Sequence, residues 1–241
     1  MDIYWLEQNE SDVPFGDQWL SGSERAHLAG LQIPKRRADW RLGRWTAKNA
    51  IAAYWNLSRA LEALATVELR PAPSGAPEVF LHGRLAPVAL SLSHSSGTGL
   101  CTVAPAGIAL GCDLEKVEPR SAVFLSDYFT DEERNLVAQT SLDTRDQVVT
   151  LLWSAKESVL KALSCGLRMD TRSVNAATAG EPPVASGAHW SPVTASHIGG
   201  RTFCGWWRES RHLVYMVVAN PTPLRLIALQ PARGTTPPPL Y

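Results

Sequence analysis

Apolar residues recur along this chain of 241 residues with two different periods. A period of two predicts strands at 2–7, 88–94, 99–104, 107–115, 202–207, 213–219 and 224–229. A period near 3.6 predicts helices at 23–31, 35–56 and 145–164. Short turn sequences separate the strands at 88–115, which we expect to form an antiparallel meander. The pattern predicts an α+β protein with antiparallel sheets.

One predicted strand and one predicted helix carry candidate chemistry. Asp113 and Glu115 project from one face of their strand, because side chains alternate with a period of two. Glu157 lies opposite the apolar stripe of its helix, and Lys161 follows one turn later. If that helix face covers that strand, three carboxylates and a lysine converge, and such hard oxygen ligands suit Mg²⁺. The alternative is an exposed edge strand and an ordinary surface ion pair.

The predicted helix at 35–56 is strongly basic in an otherwise neutral protein. Only one acid, Asp39, interrupts six cations between Lys35 and Lys48. Arg37 and Lys48 lie, with Arg41 and Arg44, within an arc of about 60°. Such a face is either solvated or suited to a ligand with several phosphates.

Four segments follow one another between Lys35 and Gly166. They are the basic helix that contains Gly43-Arg44, then Ser91-Leu92-Ser93-His94-Ser95, then Gly111-Cys112-Asp113-Leu114-Glu115, and finally the run W-S-A-K-E-S-V-L-K from Trp153 to Lys161. In this order, with Asp113 and Glu157 separated by 44 positions, they resemble the motifs of the Sfp-type 4′-phosphopantetheinyl transferases. One position departs from that pattern. In the loop Pro71–Pro77, Gly75 and Pro77 are present, but Ala76 stands where the family often has a lysine.

The resemblance implies an architecture that periodicity does not. It implies two similar α/β subdomains with antiparallel sheets, related by a pseudo-twofold, with a cofactor cleft between them. We accordingly expect an N-terminal subdomain at 1–106, a C-terminal subdomain at 107–230 and a flexible Pro-rich tail at 231–241. With both halves in one chain, the resemblance also implies a monomer.

The resemblance further implies an activity: transfer of 4′-phosphopantetheine from coenzyme A to a serine of an apo acyl or peptidyl carrier protein, with release of 3′,5′-ADP. It assigns Asp113, Glu115 and Glu157 to Mg²⁺. Glu157, directly or through a bound water, would accept the serine proton, and Lys161 would neutralise charge on the leaving phosphate. The residues implied to bind coenzyme A are Lys35, Lys48, Gly75, Pro77, Ser93, His94, Asp113 and Lys161, with Arg37 added on the helical arc alone.

Two other functions remain open at this stage. One is a coenzyme A or carrier-protein binding module without transfer activity. The other is a different Mg²⁺-dependent phosphoryl-group enzyme such as a hydrolase, although the chain has no G-x-x-x-x-G-K-[ST] sequence. The sequence does not distinguish fatty-acid, polyketide, nonribosomal-peptide and lysine-pathway carriers.

Composition limits the kinds of partner and the cellular location that we expect for this protein. Lys and Arg together number 23, as do Asp and Glu, so no overall charge attracts nucleic acid. No apolar run is long enough to span a membrane, and the N-terminus does not resemble a signal peptide. Four scattered cysteines indicate neither zinc binding nor disulfides, so we expect a cytoplasmic protein. No short internal repeat is apparent.

Overall fold

A computed structural model describes residues 1–178 and 189–230, and the predicted tail at 231–241 lies outside the described residues. The helices are α1 Gly22–Gly30, α2 Pro34–Tyr54, α3 Leu61–Leu64, α4 Ala122–Tyr128, α5 Asp131–Gln139 and α6 Leu142–Ala162. The strands are β1 Asp2–Asn9, β2 Val67–Pro71, β3 Pro77–Leu81, β4 Arg84–Leu85, β5 Val88–Ser95, β6 Thr98–Pro105, β7 Ala109–Lys116, β8 Val174–Thr178, β9 Ser191–His197, β10 Thr202–Ser210, β11 Leu213–Asn220 and β12 Arg225–Ala228. Within these ranges, no helix combines the length and the apolar character that a bilayer crossing requires.

The strands form three sheets, which confirms the α+β prediction. The first sheet has the order β12-β1-β6-β5, and the second has the order β7-β11-β10-β9-β8. A small third sheet, β2-β3-β4, follows α3. Neighbouring strands are antiparallel, except that β1 and β12 run parallel.

Each large sheet is covered by one long helix. Helix α2 packs Ala47, Ala50 and Ile51 into a core with residues of β1 and β6, and α6 buries its apolar stripe against the second sheet. The approach of α6 to β7 is very close: a Cβ at Gly111 would lie 1.8 Å from the Ser158 carbonyl oxygen. A side chain at position 111 would therefore push α6 away from the strand that carries Asp113.

The two halves repeat the same construction. Helices α1 and α5 both begin with a capping box, Ser21 with Glu24 and Thr130 with Glu133. Helices α2 and α6 each have 21 residues. At the same position in each helix, a fully buried lysine pairs with the capping-box glutamate: Lys48 with Glu24 at 2.6 Å, and Lys156 with Glu133 at 2.7 Å. The prediction of two similar halves is thus confirmed.

The repeat is visible in the sequence once the helices are aligned. Trp45-Thr46-Ala47-Lys48-Asn49 occupies the same helical positions as Trp153-Ser154-Ala155-Lys156-Glu157. The expectation of no short repeat was therefore wrong. Three identities in five positions are a weak signal, and each paired glutamate lies more than 20 residues away from its lysine.

The predicted meander was wrong at its third strand. Strand β7 does not pair with β6; all eight of its residues pair with β11 in the second sheet. Strand β7 meets β5 edge to edge, where the Cys112 N–H donates to Ser91 Oγ at 3.0 Å. We call the line between β5 and β7 the seam, because one half ends and the other begins there.

The end of the chain also departs from the predicted boundaries. Strand β12, which the range 107–230 assigns to the C-terminal subdomain, pairs with β1 in the first sheet. The parallel pairing with β12 gives hydrogen-bond partners to the backbone groups on the outer edge of β1. The Arg225 guanidinium also binds the Asp2 carboxylate there. The division near residue 106 otherwise remains a prediction.

Candidate active site

A polar cavity of about 410 Å³ opens at the seam, where α2 and β5 of one half face β7 and α6 of the other. We call it the acidic cavity. Its polar lining brings together Asp39 and Arg44 from α2, Ser93 and His94 from β5, Asp113 and Glu115 from β7, and Glu157 and Lys161 from α6.

Asp113 is the buried centre of this site, and its side chain is only 2% exposed. Its Oδ1 accepts from Ser93 Oγ at 2.9 Å and from Lys161 Nζ at 2.7 Å. Its Oδ2 accepts from Ser154 Oγ at 2.9 Å. Three donors from two elements fix this carboxylate, and one of them is charged, which strengthens the bond.

Lys161 joins the carboxylates to the serine of β5. In addition to Asp113, it donates to Ser93 Oγ at 3.1 Å and lies 3.9 Å from Glu157 Oε2. Burial is the largest single influence on Lys161 and disfavours its charged form, but the charge and hydrogen bond of Asp113, together with Cys112 and Glu157, outweigh burial and raise the pKa of Lys161. The side chain is 27% exposed, and its bonds to Asp113 and Ser93 hold the ammonium group at the wall of the cavity.

The other two carboxylates lie in an unfavourable electrostatic environment. Burial and the charge of Asp113 together raise the pKa of Glu115 to about 7. The same two causes raise the pKa of Glu157, and Lys161 opposes the shift. Glu115 Oε1 accepts from the Trp153 indole at 3.3 Å, and its Oε2 lies 3.4 Å from Arg120. A cation bound among the three carboxylates would relieve their mutual repulsion.

The predicted Mg²⁺ ligands therefore meet the chemical requirement but are not arranged around one point. Among residues 1–178 and 189–230, no three acidic, histidine or cysteine side chains are positioned as ligands of one metal ion. The Asp113 oxygens instead contact Lys161 and two serine hydroxyl groups. The donor set of three hard carboxylates fits Mg²⁺, and the assignment of Asp113, Glu115 and Glu157 as ligands remains a prediction.

The contacts of the W-S-A-K-E run explain its residue types, and the roles of Trp153 and Ser154 were not predicted from the sequence. Trp153 donates to Glu115, and Ser154 donates to Asp113, so two consecutive helix residues hold the two strand carboxylates. Lys156 faces the opposite way, where it pairs with Glu133 and donates to the carbonyls of Thr171 and Val174. The available signal was membership of the motif, since Trp153 and Ser154 are in the same run as Glu157.

The assignment of Lys48 to coenzyme A was wrong. Its side chain is 0% exposed, and its ammonium group binds Glu24 and donates to the carbonyls of Trp19 and Leu64. All three hydrogens of the ammonium thus have partners in the core. The helical arc placed Lys48 on the basic face, but that edge of α2 packs against α1 and the segment before it.

Arg37 and Lys35 also differ from expectation. The Arg37 guanidinium donates to the carbonyls of Leu28 and Leu31, so it caps the C-terminus of α1. Arg37 lines neither cavity, and its assignment to the ligand remains a prediction. Lys35 is 83% exposed and pairs with Asp39 at 2.9 Å. Because Asp39 lines the acidic cavity, Lys35 stands at its rim, and its role in binding remains a prediction.

Arg44 is the cation of α2 that the structure does bring to the cavity. Its guanidinium lies 4.8 Å from the Trp40 ring centroid, a cation–π contact. Its Nε lies 3.8 Å from Glu24, and its side chain is 21% exposed. The sequence marked Arg44 within the basic helix, but it gave no reason to prefer it to Lys48.

The predicted residues Gly75 and Pro77 lie in a second cavity. This space of about 800 Å³ has mostly apolar walls and lies between the hairpin loop 72–76 and the end of α6. We call it the larger cavity. Lys161 lines both cavities, so the two spaces meet at that side chain. Gly75 has a φ of 87°, which glycine adopts without strain in this tight turn.

Comparisons with known proteins agree with the motif evidence. A family model described as the 4′-phosphopantetheinyl transferase superfamily matches residues 109–203. That range begins with β7 and includes α6, so it contains Asp113, Glu115, Glu157 and Lys161. The family resemblance drawn from the motifs is confirmed over this segment. The finer assignment to the Sfp type is not tested by this match.

Solved structures give a weaker likeness. A holo-(acyl-carrier-protein) synthase from Bacillus anthracis, in complex with CoA (3′,5′-ADP), is 23% identical, with 42% of this chain and 91% of that chain covered at a TM-score of 0.36. A holo-[acyl-carrier-protein] synthase from Helicobacter pylori, in complex with coenzyme A, is 14% identical, with 43% and 99% covered at a TM-score of 0.30. At these scores the likenesses carry no argument. Comparison with curated proteins finds no match.

Proposed function

We propose that this protein transfers the 4′-phosphopantetheine group of coenzyme A to a serine of an apo carrier protein, an acyl or peptidyl carrier. The observation that carries the proposal is the meeting of Asp113, Glu115, Glu157 and Lys161 in one cavity, inside the segment that matches the transferase superfamily. The first half contributes a cation and a histidine to the same cavity, Arg44 and His94.

Coenzyme A is an anionic ligand with a diphosphate, and the cavity offers it several donors. Lys161 is held in place by Asp113 and Ser93, so its ammonium needs little reorganisation to meet a phosphate. Arg44 is oriented by its stacking on Trp40. His94 is exposed on β5, next to Gly43 of α2. Ligand phosphates bound between these groups would lie at the seam.

The reaction is an attack by the serine oxygen on the β-phosphorus of coenzyme A. A bond forms between that oxygen and phosphorus, the bond from phosphorus to the bridging oxygen breaks, and 3′,5′-ADP leaves. Glu157 lines the cavity with 19% of its side chain exposed, and it would accept the serine proton directly or through water. Lys161 would stabilise the negative charge that develops on the leaving phosphate.

Magnesium is the metal that this donor set favours, and Asp113, Glu115 and Glu157 would hold it. When bound, Mg²⁺ would neutralise charge on the diphosphate. Because Lys161 now contacts Asp113, metal binding requires either that this ion pair shift or that Lys161 remain on one side of the carboxylate. Trp153 and Ser154 would keep the strand carboxylates oriented in both cases.

The direct test is intact-mass measurement of apo carrier proteins after incubation with the protein, coenzyme A and Mg²⁺. A gain of one phosphopantetheine group, abolished by a chelator, supports the transferase. Binding of coenzyme A with no gain on any carrier of a panel would favour a binding module. Release of 3′,5′-ADP in the absence of carrier would favour a hydrolase. The panel also distinguishes fatty-acid, polyketide, peptide-synthesis and lysine-pathway carriers.

We also propose that the protein acts as a monomer in the cytoplasm. Both walls of the acidic cavity come from one chain, so the site needs no second copy. Light scattering at working concentration tests this part, and a stable dimer or trimer would contradict it.

A further inference from the structure

The larger cavity contains an arginine to which neither the motifs nor the proposed chemistry assign a role. Arg168 lies in the 3-10 turn Gly166–Arg168, shortly after α6, and its side chain lines this cavity. From there it reaches across the cavity to the hairpin loop of the first half. The residue therefore connects the two halves at the larger cavity.

The contacts of Arg168 leave its charge available. Its Nε donates to the Cys165 carbonyl at 3.2 Å, and its Nη2 donates to the Ser74 carbonyl. Both acceptors are uncharged, so these bonds orient the guanidinium without neutralising it. A planar guanidinium fixed on one edge still presents donors from its other edge, which suits a phosphate.

The walls of the larger cavity contain few charged residues. Most of the lining residues are apolar, and its charged members are Lys161, Arg168 and Glu78. Lys161 is already bound to Asp113 on the acidic side. A ligand that extends from the acidic cavity past Lys161 would therefore meet Arg168 as the next positive charge.

We propose that Arg168 binds an anionic group of the ligand that occupies the larger cavity, between the end of α6 and the loop 72–76. The identity of the ligand, coenzyme A, rests on the proposed function. The role of Arg168 rests on the cavity and on its contacts with the loop.

Calorimetric titration of coenzyme A into four variants tests the proposal. Arg168→Ala should weaken binding about tenfold at low salt, the size of one hydrogen bond to a charged group. Arg168→Lys keeps the charge but loses the fork, and should recover most of the affinity. Ala76 lines the same cavity beside Gly75, so Ala76→Lys in the Arg168→Ala background should restore binding.

Rescue by a lysine on the opposite wall separates ligand binding from a structural role. If Arg168 only tied the turn to the Ser74 carbonyl, the double variant would remain as weak as Arg168→Ala, because a lysine at position 76 lies on the loop itself and does not tie the turn to it. A matched control is Arg172→Ala, which removes the same charge four residues later from an exposed pair with Asp170. It should leave the affinity unchanged.

Three outcomes overturn the inference. They are coenzyme A binding by Arg168→Ala as tight as that of the wild type, a penalty that persists undiminished at high salt, and an equal weakening of binding by Arg172→Ala. If wild-type protein binds no coenzyme A, the proposed function fails and takes this inference with it. If the wild type binds but the variants do not differ, only the inference fails.

Discussion

Helices α2 and α6 are built alike but used differently. Each has 21 residues, with a tryptophan at the twelfth and a buried, glutamate-paired lysine at the fifteenth position. The next position is Asn49 in α2 and Glu157 in α6. Five positions after the lysine, α2 has Ala53 where α6 has Lys161.

The surroundings of those positions explain the difference. Asn49 is 0% exposed and donates to the Trp45 carbonyl of its own helix. Glu157 faces the acidic cavity. The shared lysine–glutamate pair thus fixes the helix within each half. Both helices line the acidic cavity, but the carboxylate and the lysine assigned to the chemistry occur on α6. The residue that stabilises the fold is therefore a direct neighbour of the residue assigned to the chemistry in α6, and the two roles need separate tests.

The largest effect should come from the shared scaffold. Lys48→Met and Lys156→Met each leave a buried glutamate without its partner, and each should lower the free energy of unfolding by about 3–5 kcal/mol. Chemical denaturation measures both. Lys35→Met, at an 83% exposed position, is the control and should change stability by about 0.5 kcal/mol or less.

The same variants test the corrected role of Lys48. Folded Lys48→Met should bind coenzyme A within about threefold of the wild type, because its ammonium does not reach either cavity and such distant effects add independently. A large rise in the dissociation constant for coenzyme A, without loss of stability, would instead indicate that Lys48 binds this ligand. Equal stability of wild type and both variants would contradict the scaffold role.

The next largest effect is expected at Asp113, which has no counterpart role in the first half. Asp113→Asn keeps the size but removes the charge that Lys161 and Mg²⁺ would share. We expect kcat/KM to fall about a thousandfold, roughly 4 kcal/mol of transition-state stabilisation. Single-turnover transfer measures this, with circular dichroism to confirm folding. Near-normal turnover at saturating Mg²⁺ would contradict the metal assignment.

Glu157→Gln isolates the residue that distinguishes α6 from α2. The amide keeps one oxygen but loses the negative charge and the basicity. We expect kcat to fall about a hundredfold, as for lost acid–base catalysis, with coenzyme A affinity within about tenfold. Glu132→Gln, an exposed site on α5, is the control for the loss of one surface charge.

Equal losses of coenzyme A affinity and of turnover in Glu157→Gln would change the role that we assign to Glu157. If binding and turnover fall by the same large factor, the residue is chiefly a metal ligand and the base lies elsewhere. If neither falls, the pair with Lys161 is only a surface contact. Calorimetry in Mg²⁺, combined with single-turnover rates, distinguishes these outcomes.

Local periodicity predicted much of this structure. The helix around Glu157 and the strand around Asp113 occur where the apolar pattern placed them, because each buries one regular face. Their convergence in one cavity followed from the assumption that the helix covers the strand, and that contact is present. The placement of Ser93 and His94 in the same cavity followed the family resemblance instead.

The error at Lys48 has a clear physical cause: a helical arc does not tell which of its edges a neighbouring element covers. Lys48 and Arg44 belong to one arc, yet contacts with α1 and the Trp19 carbonyl bury the first and leave the second at the cavity. Strand pairing across the seam failed similarly, since β7 found its partner β11 about 100 positions later. Such long-range choices depend on packing that a single pattern does not contain.

The smallest effect should come from Ser154, whose counterpart in α2 is Thr46. Ser154 donates to Asp113 Oδ2, whereas the Thr46 hydroxyl donates to the Leu42 carbonyl of its own helix. Loss of a hydrogen bond to a metal ligand costs about 10–100-fold in metal affinity or activity, so Ser154→Ala should raise the Mg²⁺ concentration for half-maximal rate about tenfold.

The paired variant Thr46→Ala makes that result specific. It removes an equally buried hydroxyl that touches no carboxylate, so it should lower stability while the Mg²⁺ dependence stays unchanged. If both variants shift the Mg²⁺ dependence equally, the effect belongs to general loosening of the helices. If Ser154→Ala lowers kcat at every Mg²⁺ concentration without shifting the half-maximal point, Ser154 does not orient a metal ligand. In that case Ser154 and Thr46 have the same structural role in their two helices.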